Sequence, residues 1–250
     1  MFEDCISLTS INLPKFNTGS LRSMMRAFNN CTSLEYLSIP QLKTNQIYNY
    51  NNLFKNCNSL KSLDLSSFNT GQIMSFSSMF FGCSKLTSLD LSTFDPSYST
   101  IFDSMFEGCE SLNNIELKNF VVENARTMNN MFKGCTSLKS LDLSKFKTDN
   151  VNSMVKMFHS CSSLTSLDLS MFSTSKVTNM TQMFYGINSM EVLDIWNFDT
   201  TNCKDYTGMF DECENDCIIY VNLEKCKKME EYIPQQFNIT DKISLFSFYY

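Results

Sequence analysis

Histidine and tryptophan occur once each in the 250 residues, and glycine and proline only seven and four times. One histidine excludes any site built on two His ligands within this chain. So little Gly and Pro beside so many large apolar residues argues against a disordered or collagen-like chain. Positive charge is also short: 20 Lys+Arg face 26 Asp+Glu, giving a formal net charge of −6 and a pI near 4.9. Phosphate binding needs clustered Lys and Arg, so no nucleic-acid partner is expected. No apolar run approaches the roughly 18 residues of a transmembrane helix, so no membrane-spanning segment is expected. No basic stretch followed by an apolar one opens the chain, and no signal peptide is read. Gly-rich phosphate loops, G-x-S-x-G and H-E-x-x-H are missing. The chain is accordingly read as no enzyme, with no catalytic residue, no metal site and no cofactor.

What is abundant is 11 Cys, 16 Met and 22 Phe, and all three are periodic. Cys5, Cys31, Cys57, Cys83, Cys109, Cys135 and Cys161 follow at intervals of 26, Ile187 takes the next place and Cys213 the one after. Phe2, Phe28, Phe54, Phe80, Phe106, Phe132, Phe158, Phe184 and Phe210 keep the same interval without a break. A second phenylalanine column runs through Phe16, Phe68, Phe94, Phe120, Phe146, Phe172 and Phe198. Self-similarity at such a period marks a stacked array, in which each coil buries its apolar face only against its neighbours. The phenylalanine columns are therefore read as core, each buried ring contributing roughly 1.5–3 kcal/mol.

Within a unit, Leu164, Leu167, Leu169 and Phe172 form an L-x-x-L-x-L-x-x-F core. Alternation in Leu167-Asp168-Leu169 puts both leucines on one face and the aspartate on the other, as in a short strand. The triplets at 63–65, 89–91, 115–117, 141–143 and 193–195 repeat it. Strands a whole coil apart pair in parallel and in register. Val177, Met180, Met183 and Phe184 then change the spacing to one helical stripe, with Thr174 or Ser175 as its N-cap. The fold class expected is α/β: a leucine-rich-repeat solenoid, arc or horseshoe, with a parallel in-register sheet on one face and short helical segments on the other. Residues 1–212 are read as the array. Residues 213–250 are read as a degenerate last repeat and capping segment, with 243–250 as a hydrophobic closing stretch.

The unit Met-Phe-x-x-Cys-x-Ser-Leu-x-Ser-Leu-Asp-Leu-Ser-x-Phe resembles the leucine-rich repeat of BspA-like surface proteins of bacteria and protists. Clear copies are 79–94, 105–120, 131–146, 157–172 and 183–198. Departures are Ile187 in the Cys column, Pro14 and Pro40 in early units, and Glu224 where a Phe would stand. The resemblance implies a secreted or cell-surface protein that binds a protein or another macromolecule, and it carries no catalytic residue. An intracellular interaction scaffold, or the repeat region of a larger multidomain protein, is the alternative.

The cysteine column is read as buried free thiols. Coils about 4.8 Å apart leave parallel Cβ atoms beyond the usual disulfide range. Cys203 reads as core, a Cys213/Cys217 zinc half-site is weak, and a capping disulfide through Cys217 or Cys226 stays open. On the outer strand face, Asp64, Asp90, Glu116, Asp142, Asp168 and Asp194 form an acidic stripe. It is either a surface for a cationic partner or a solvated face. Columns that vary between coils hold Lys61 and Lys139, and Lys15, Gln41, Lys145 and Met171; they are where a partner would be read. Trp196 is either an exposed contact or covered by the C-terminal segment. His159, in a variable column, is read as a surface residue.

Overall fold

The computed structural model describes residues 1–13, 19–39, 44–213 and 216–240. Expectations placed on Pro14, Lys15, Phe16, Pro40, Gln41 and 243–250 lie outside them. Eight three-residue strands occur among the described residues: β1 Ser10–Asn12, β2 Tyr36–Ser38, β3 Ser88–Asp90, β4 Asn114–Glu116, β5 Ser166–Asp168, β6 Val192–Asp194, β7 Ile218–Tyr220 and β8 Asn238–Thr240. Pairing is parallel and steps by one repeat, as in Ser88↔Asn114, Leu89↔Ile115 and Asp90↔Glu116. The ladders form sheets of two, two and four strands. Ile11, Leu37, Leu89, Leu167, Leu193 and Ile219, the middle residues of six of these strands, are buried. The triplets 63–65 and 141–143 keep Leu65 and Leu143 buried but are not paired as regular strands.

Half a coil away, a second parallel ladder of single bridges runs Ser75↔Ile101, Ile101↔Thr127, Thr127↔Ser153, Ser153↔Asn179 and Asn179↔Asp205. The molecule is therefore a parallel-sheet leucine-rich-repeat solenoid, as its period requires.

The expected helical segments are not there. Val177, Met180, Met183 and Phe184 are all fully buried, but Met183 and Phe184 lie in turns and Val177 and Met180 in irregular chain on either side of the Asn179 bridge. The backbone around Phe80 shows why. Met79, Phe81 and Cys83 donate to carbonyls three residues back, at 3.1, 3.3 and 3.1 Å. Phe76, Ser78, Phe80 and Gly82 donate instead to Ile101, Asp103, Met105 and Glu107 of the next coil, at 2.7–3.0 Å. An α-helix would direct every N–H to the carbonyl four residues back. Here alternate N–H groups point out of the coil, and the chain becomes a run of β-turns. Two residues per coil take the left-handed region that such a run needs, Ser78 (φ 53) and Gly82 (φ 70) in this coil, Asn52 (φ 56) and Asn56 (φ 60) in the one before. Asn and Gly tolerate that region best. A three-residue turn brings its two ends to one face, so the inward stripe has nearly the spacing of a helix. The sole α-helix among the described residues is α1, Leu223–Cys226.

The interior is built of columns. Successive rings from Phe2 to Phe210 stack with centroids 5.3–5.8 Å apart and planes within 15°. This is the offset-stacked arrangement that aromatic quadrupoles favour. Phe237 closes the stack edge-on against Phe210 at 5.7 Å. A second, polar column was not foreseen. Thr44, Thr70, Thr148, Thr174 and Thr200 are buried, and their hydroxyls bond to the backbone of the following coil. Thr148 donates to Ser173 O at 2.8 Å and accepts from Ser173 N at 2.9 Å. Thr174 does the same with Asp199 at 2.9 and 2.7 Å. Thr174 is thus a tie between coils, not a helix cap.

Candidate recognition surface

The strand face presents the acidic stripe. Asp64, Asp90, Glu116, Asp142 and Asp168 are exposed and Asp194 is half-buried. Register sets Asp90 opposite Glu116 and Asp168 opposite Asp194. Each carboxylate has a local task. One oxygen accepts the N–H two residues on, from Ser66, Ser92, Lys118, Ser144, Ser170 and Trp196 respectively, at 2.8–3.0 Å. These turns fold the chain away from the sheet and explain why a carboxylate recurs at this point of the coil. Hydrogen bonds from Ser66, Ser92 and Ser144 hold Asp64, Asp90 and Asp142 below the usual carboxylate range. Asp64, Asp90, Glu116, Asp142 and Asp168 stay exposed while making these bonds, so the two readings of the stripe are not exclusive.

Around the stripe, the coil-specific residues divide. Lys139, Lys145 and Met171 are exposed. Lys61 pairs with Glu35 at 2.8 Å, one coil back in its own column. In the column of Lys145, Asn119 donates to Ser92 O at 2.8 Å and Asn197 donates to Ser170 O. Those two amides clamp neighbouring coils. Trp196 is half-buried, and its N–H serves the Asp194 turn. A cleft of about 160 Å³ between coils is lined by Tyr36, Ser38, Ser62, Asp64 and Ser67.

His159 is half-buried and not a free surface residue. Its ring stacks on Tyr185 at 4.4 Å, and its Nδ1 lies 2.8 Å from Ser160 Oγ. Burial, then Lys133 and Lys156, lower its pKa. Lys133 itself pairs with Glu107 at 2.8 Å in the same column.

All eleven cysteines are free thiols, all buried except half-buried Cys5. From Cys31 to Cys161, and again at Cys213, each Sγ donates to the carbonyl of the phenylalanine 29 residues earlier, at 3.0–3.3 Å. Burial pushes Cys109 and Cys161 up to about 12. Cys217 and Cys226 are pushed up to about 11. Thiols so placed stay protonated and act as small apolar donors. Among the described residues, no three His, Cys, Asp or Glu side chains group as metal ligands would, and no helix is long and apolar enough to cross a membrane.

The family described as "Mycoplasma protein of unknown function, DUF285" matches residues 1–115, 102–219 and 128–244. The chain belongs to this family. Its 26-residue unit is the BspA-like leucine-rich repeat. Among solved structures, a leucine-rich repeat protein from Bacteroides ovatus is 24% identical with a TM-score of 0.49, over 87% of this chain and 56% of that one. The chain thus spans little more than half of that relative's length. A leucine-rich cell surface protein from Faecalibacterium prausnitzii is 17% identical with a TM-score of 0.36, over 85% of this chain and 73% of that one. No curated protein matches the sequence.

Proposed function

We propose that the chain is a non-enzymatic recognition or adhesion module of a secreted or cell-surface protein, and that it meets a protein or other macromolecule through its strand face. The observation that supports this reading is an invariant, densely hydrogen-bonded coil carrying exposed side chains that differ from coil to coil. Such a scaffold holds a broad surface rigid while leaving its chemistry free to vary. In this reading Asp64, Asp90, Glu116, Asp142, Asp168 and Asp194 supply a uniform acidic ground. Lys61, Lys139, Lys145 and Trp196 supply the discriminating features. Residues 1–212 form the recognition array. The segment 213–250 closes it, as the pairing of β8 on β7 and the edge-on Phe237 suggest.

Eleven free thiols favour a second reading, an interaction scaffold in a reducing compartment. Either could be the repeat region of a longer chain. The test applies the fluorescently labelled chain to intact cells. Saturable binding that unlabelled chain displaces supports the surface reading. Binding that is not saturable, or that the combined K61A, K139A, K145A and W196A changes leave intact, refutes the strand-face assignment.

A further inference from the structure

On the side of the coil opposite the acidic stripe, one column carries arginine at both ends of an apolar centre, with Asp103 and Glu123 in the columns beside it. That column reads Arg22, Tyr48, Met74, Thr100 and Arg126, and its continuation through Asn152, Thr178 and Lys204 holds no carboxylate. The column lies one residue before the second ladder, whose bridges fix it from Ser75 to Asp205. Arg22 and Arg126 are exposed. Between them Tyr48 is 50% and Met74 64% exposed, with Ile101 at 38% and Tyr98 at 72% on the coil of Thr100. Elsewhere in this column the later coils carry only polar residues.

Arginine makes the strip distinctive. Three arginines occur in the whole chain, Arg22, Arg26 and Arg126. Two of them bracket the apolar centre, and Arg26 stands beside it. Every other cation in the chain is lysine. Arginine is the residue for planar, two-pronged recognition of a carboxylate. Exposed Tyr, Met and Arg together are the composition of an interface centre rather than of a solvated edge. The ion pairs among the described residues are Arg26–Glu3, Lys61–Glu35 and Lys133–Glu107; the guanidinium groups of Arg22 and Arg126 form none of them, and Arg22 donates to the neutral Gln46 side chain.

We propose that this strip is a docking site for an extended acidic protein segment with an apolar middle, lying along the solenoid axis. Charge complementarity selects the occupant: a basic strip on a chain of net charge −6 attracts anions, and its centre demands apolar side chains between them. A sulfated glycan would satisfy the arginines and leave Met74 and Ile101 without a role. A second copy would bring its Asp and Ser stripe, which has no apolar complement. Four coil steps of about 4.8 Å separate Arg22 from Arg126, roughly 19 Å, the length of about six extended residues.

The test measures binding of a fluorescein-labelled octapeptide with two glutamates at each end and four apolar residues between. The full chain should bind it saturably. The R22Q/R126Q pair should weaken binding at least tenfold, and Y48S/M74S likewise, with unchanged circular dichroism and melting temperature. The same peptide with glutamine for glutamate should lose affinity to a similar degree. No saturable binding to the parent chain, or equal binding by these variants, overturns the proposal. Tighter binding of a heparin oligosaccharide, or salt-sensitive self-association in sedimentation that blocks the peptide, overturns it too. The strand face takes no part, so K61A/K139A/K145A/W196A should leave peptide binding unchanged. That arm separates failure here from failure of the strand-face reading.

Discussion

The buried threonines offer a quantitative check on how the coils hold together. In Thr174→Val the shape is kept, but the bonds to Asp199 O and N, at 2.9 and 2.7 Å, are lost. If the Asp199 N–H stayed unpaired in the interior, the penalty would be about 1–3 kcal/mol for that group alone, on top of about 1 for the other bond. The chain contains its own controls. Pro96 and Val122 occupy the threonine column. There the N–H that a threonine would receive turns back two residues, Val121 to Asn119 O at 3.0 Å and Lys147 to Lys145 O at 3.1 Å. The backbone therefore has a second partner for that N–H, and Thr174→Val should cost about 1 kcal/mol, near one ordinary net hydrogen bond. Thr174→Ala removes a methyl as well and should cost about 1 kcal/mol more. Val122→Thr restores the hydroxyl where a coil partner stands ready, and should be neutral or stabilising by up to about 1 kcal/mol. Urea unfolding followed by circular dichroism measures all three, with unchanged m-values confirming that the transition is the same. A Thr174→Val loss under about 0.5 kcal/mol, or a Val122→Thr loss above about 1 kcal/mol, would refute the tie between coils.

Other outcomes follow from the same geometry. Phe132→Ala, in a fully buried ring stacked on both sides at 5.3 and 5.7 Å, should cost about 3–5 kcal/mol in urea unfolding. Phe2→Ala, half-buried with one neighbour, should cost clearly less; equal losses would contradict the stacked core. Asp64, Asp90 and Asp142 have folded pKa values below the unfolded value of about 3.9. Their stabilisation is present above that pH and disappears as pH falls through the folded values. The triple change to Asn should flatten the acid limb of urea midpoint against pH, and parallel curves would dismiss the turn role. The thiols behave in the opposite sense. The folded values of the ten buried thiols are raised, so stability should decline as pH climbs past about 8.5, where the unfolded chain ionises. Native protein at pH 8 should react with a disulfide reagent first at half-buried Cys5, and all eleven thiols should react only after denaturation. Rapid native labelling of Cys109 would refute their burial.

The solenoid was legible because its signal is repetition. Phe80, Cys83, Leu86, Leu89, Leu91 and Phe94 are inward in the sequence pattern and buried in the structure. The pattern reads as helical because a β-turn sets its first and last residues, three apart as in Phe76 and Met79 or Phe80 and Cys83, on the inward face, close to the spacing of a helical stripe. The acidic stripe was visible as a column, but its local task was not: nothing in Asp90 announces that its oxygen takes the Ser92 N–H. The threonine column was passed over because threonine reads as surface or cap. The basic strip was hidden because Arg22 and Arg126 are 104 positions apart in the chain.

By itself, then, the sequence determined the period, the parallel register and the identity of the inward columns. Each follows from one residue type returning at one interval, which leaves the stacked coils a single way to align. The tertiary structure decided where the backbone N–H groups go. Alternate groups cross to the neighbouring coil, and that choice depends on a partner carbonyl 25 residues further on, as from Phe80 to Met105. The bond exists only once the coils are stacked, so no local pattern encodes it. The same stacking turned scattered residues into columns, an acidic one on the strands and one of arginine, tyrosine and methionine on the opposite side.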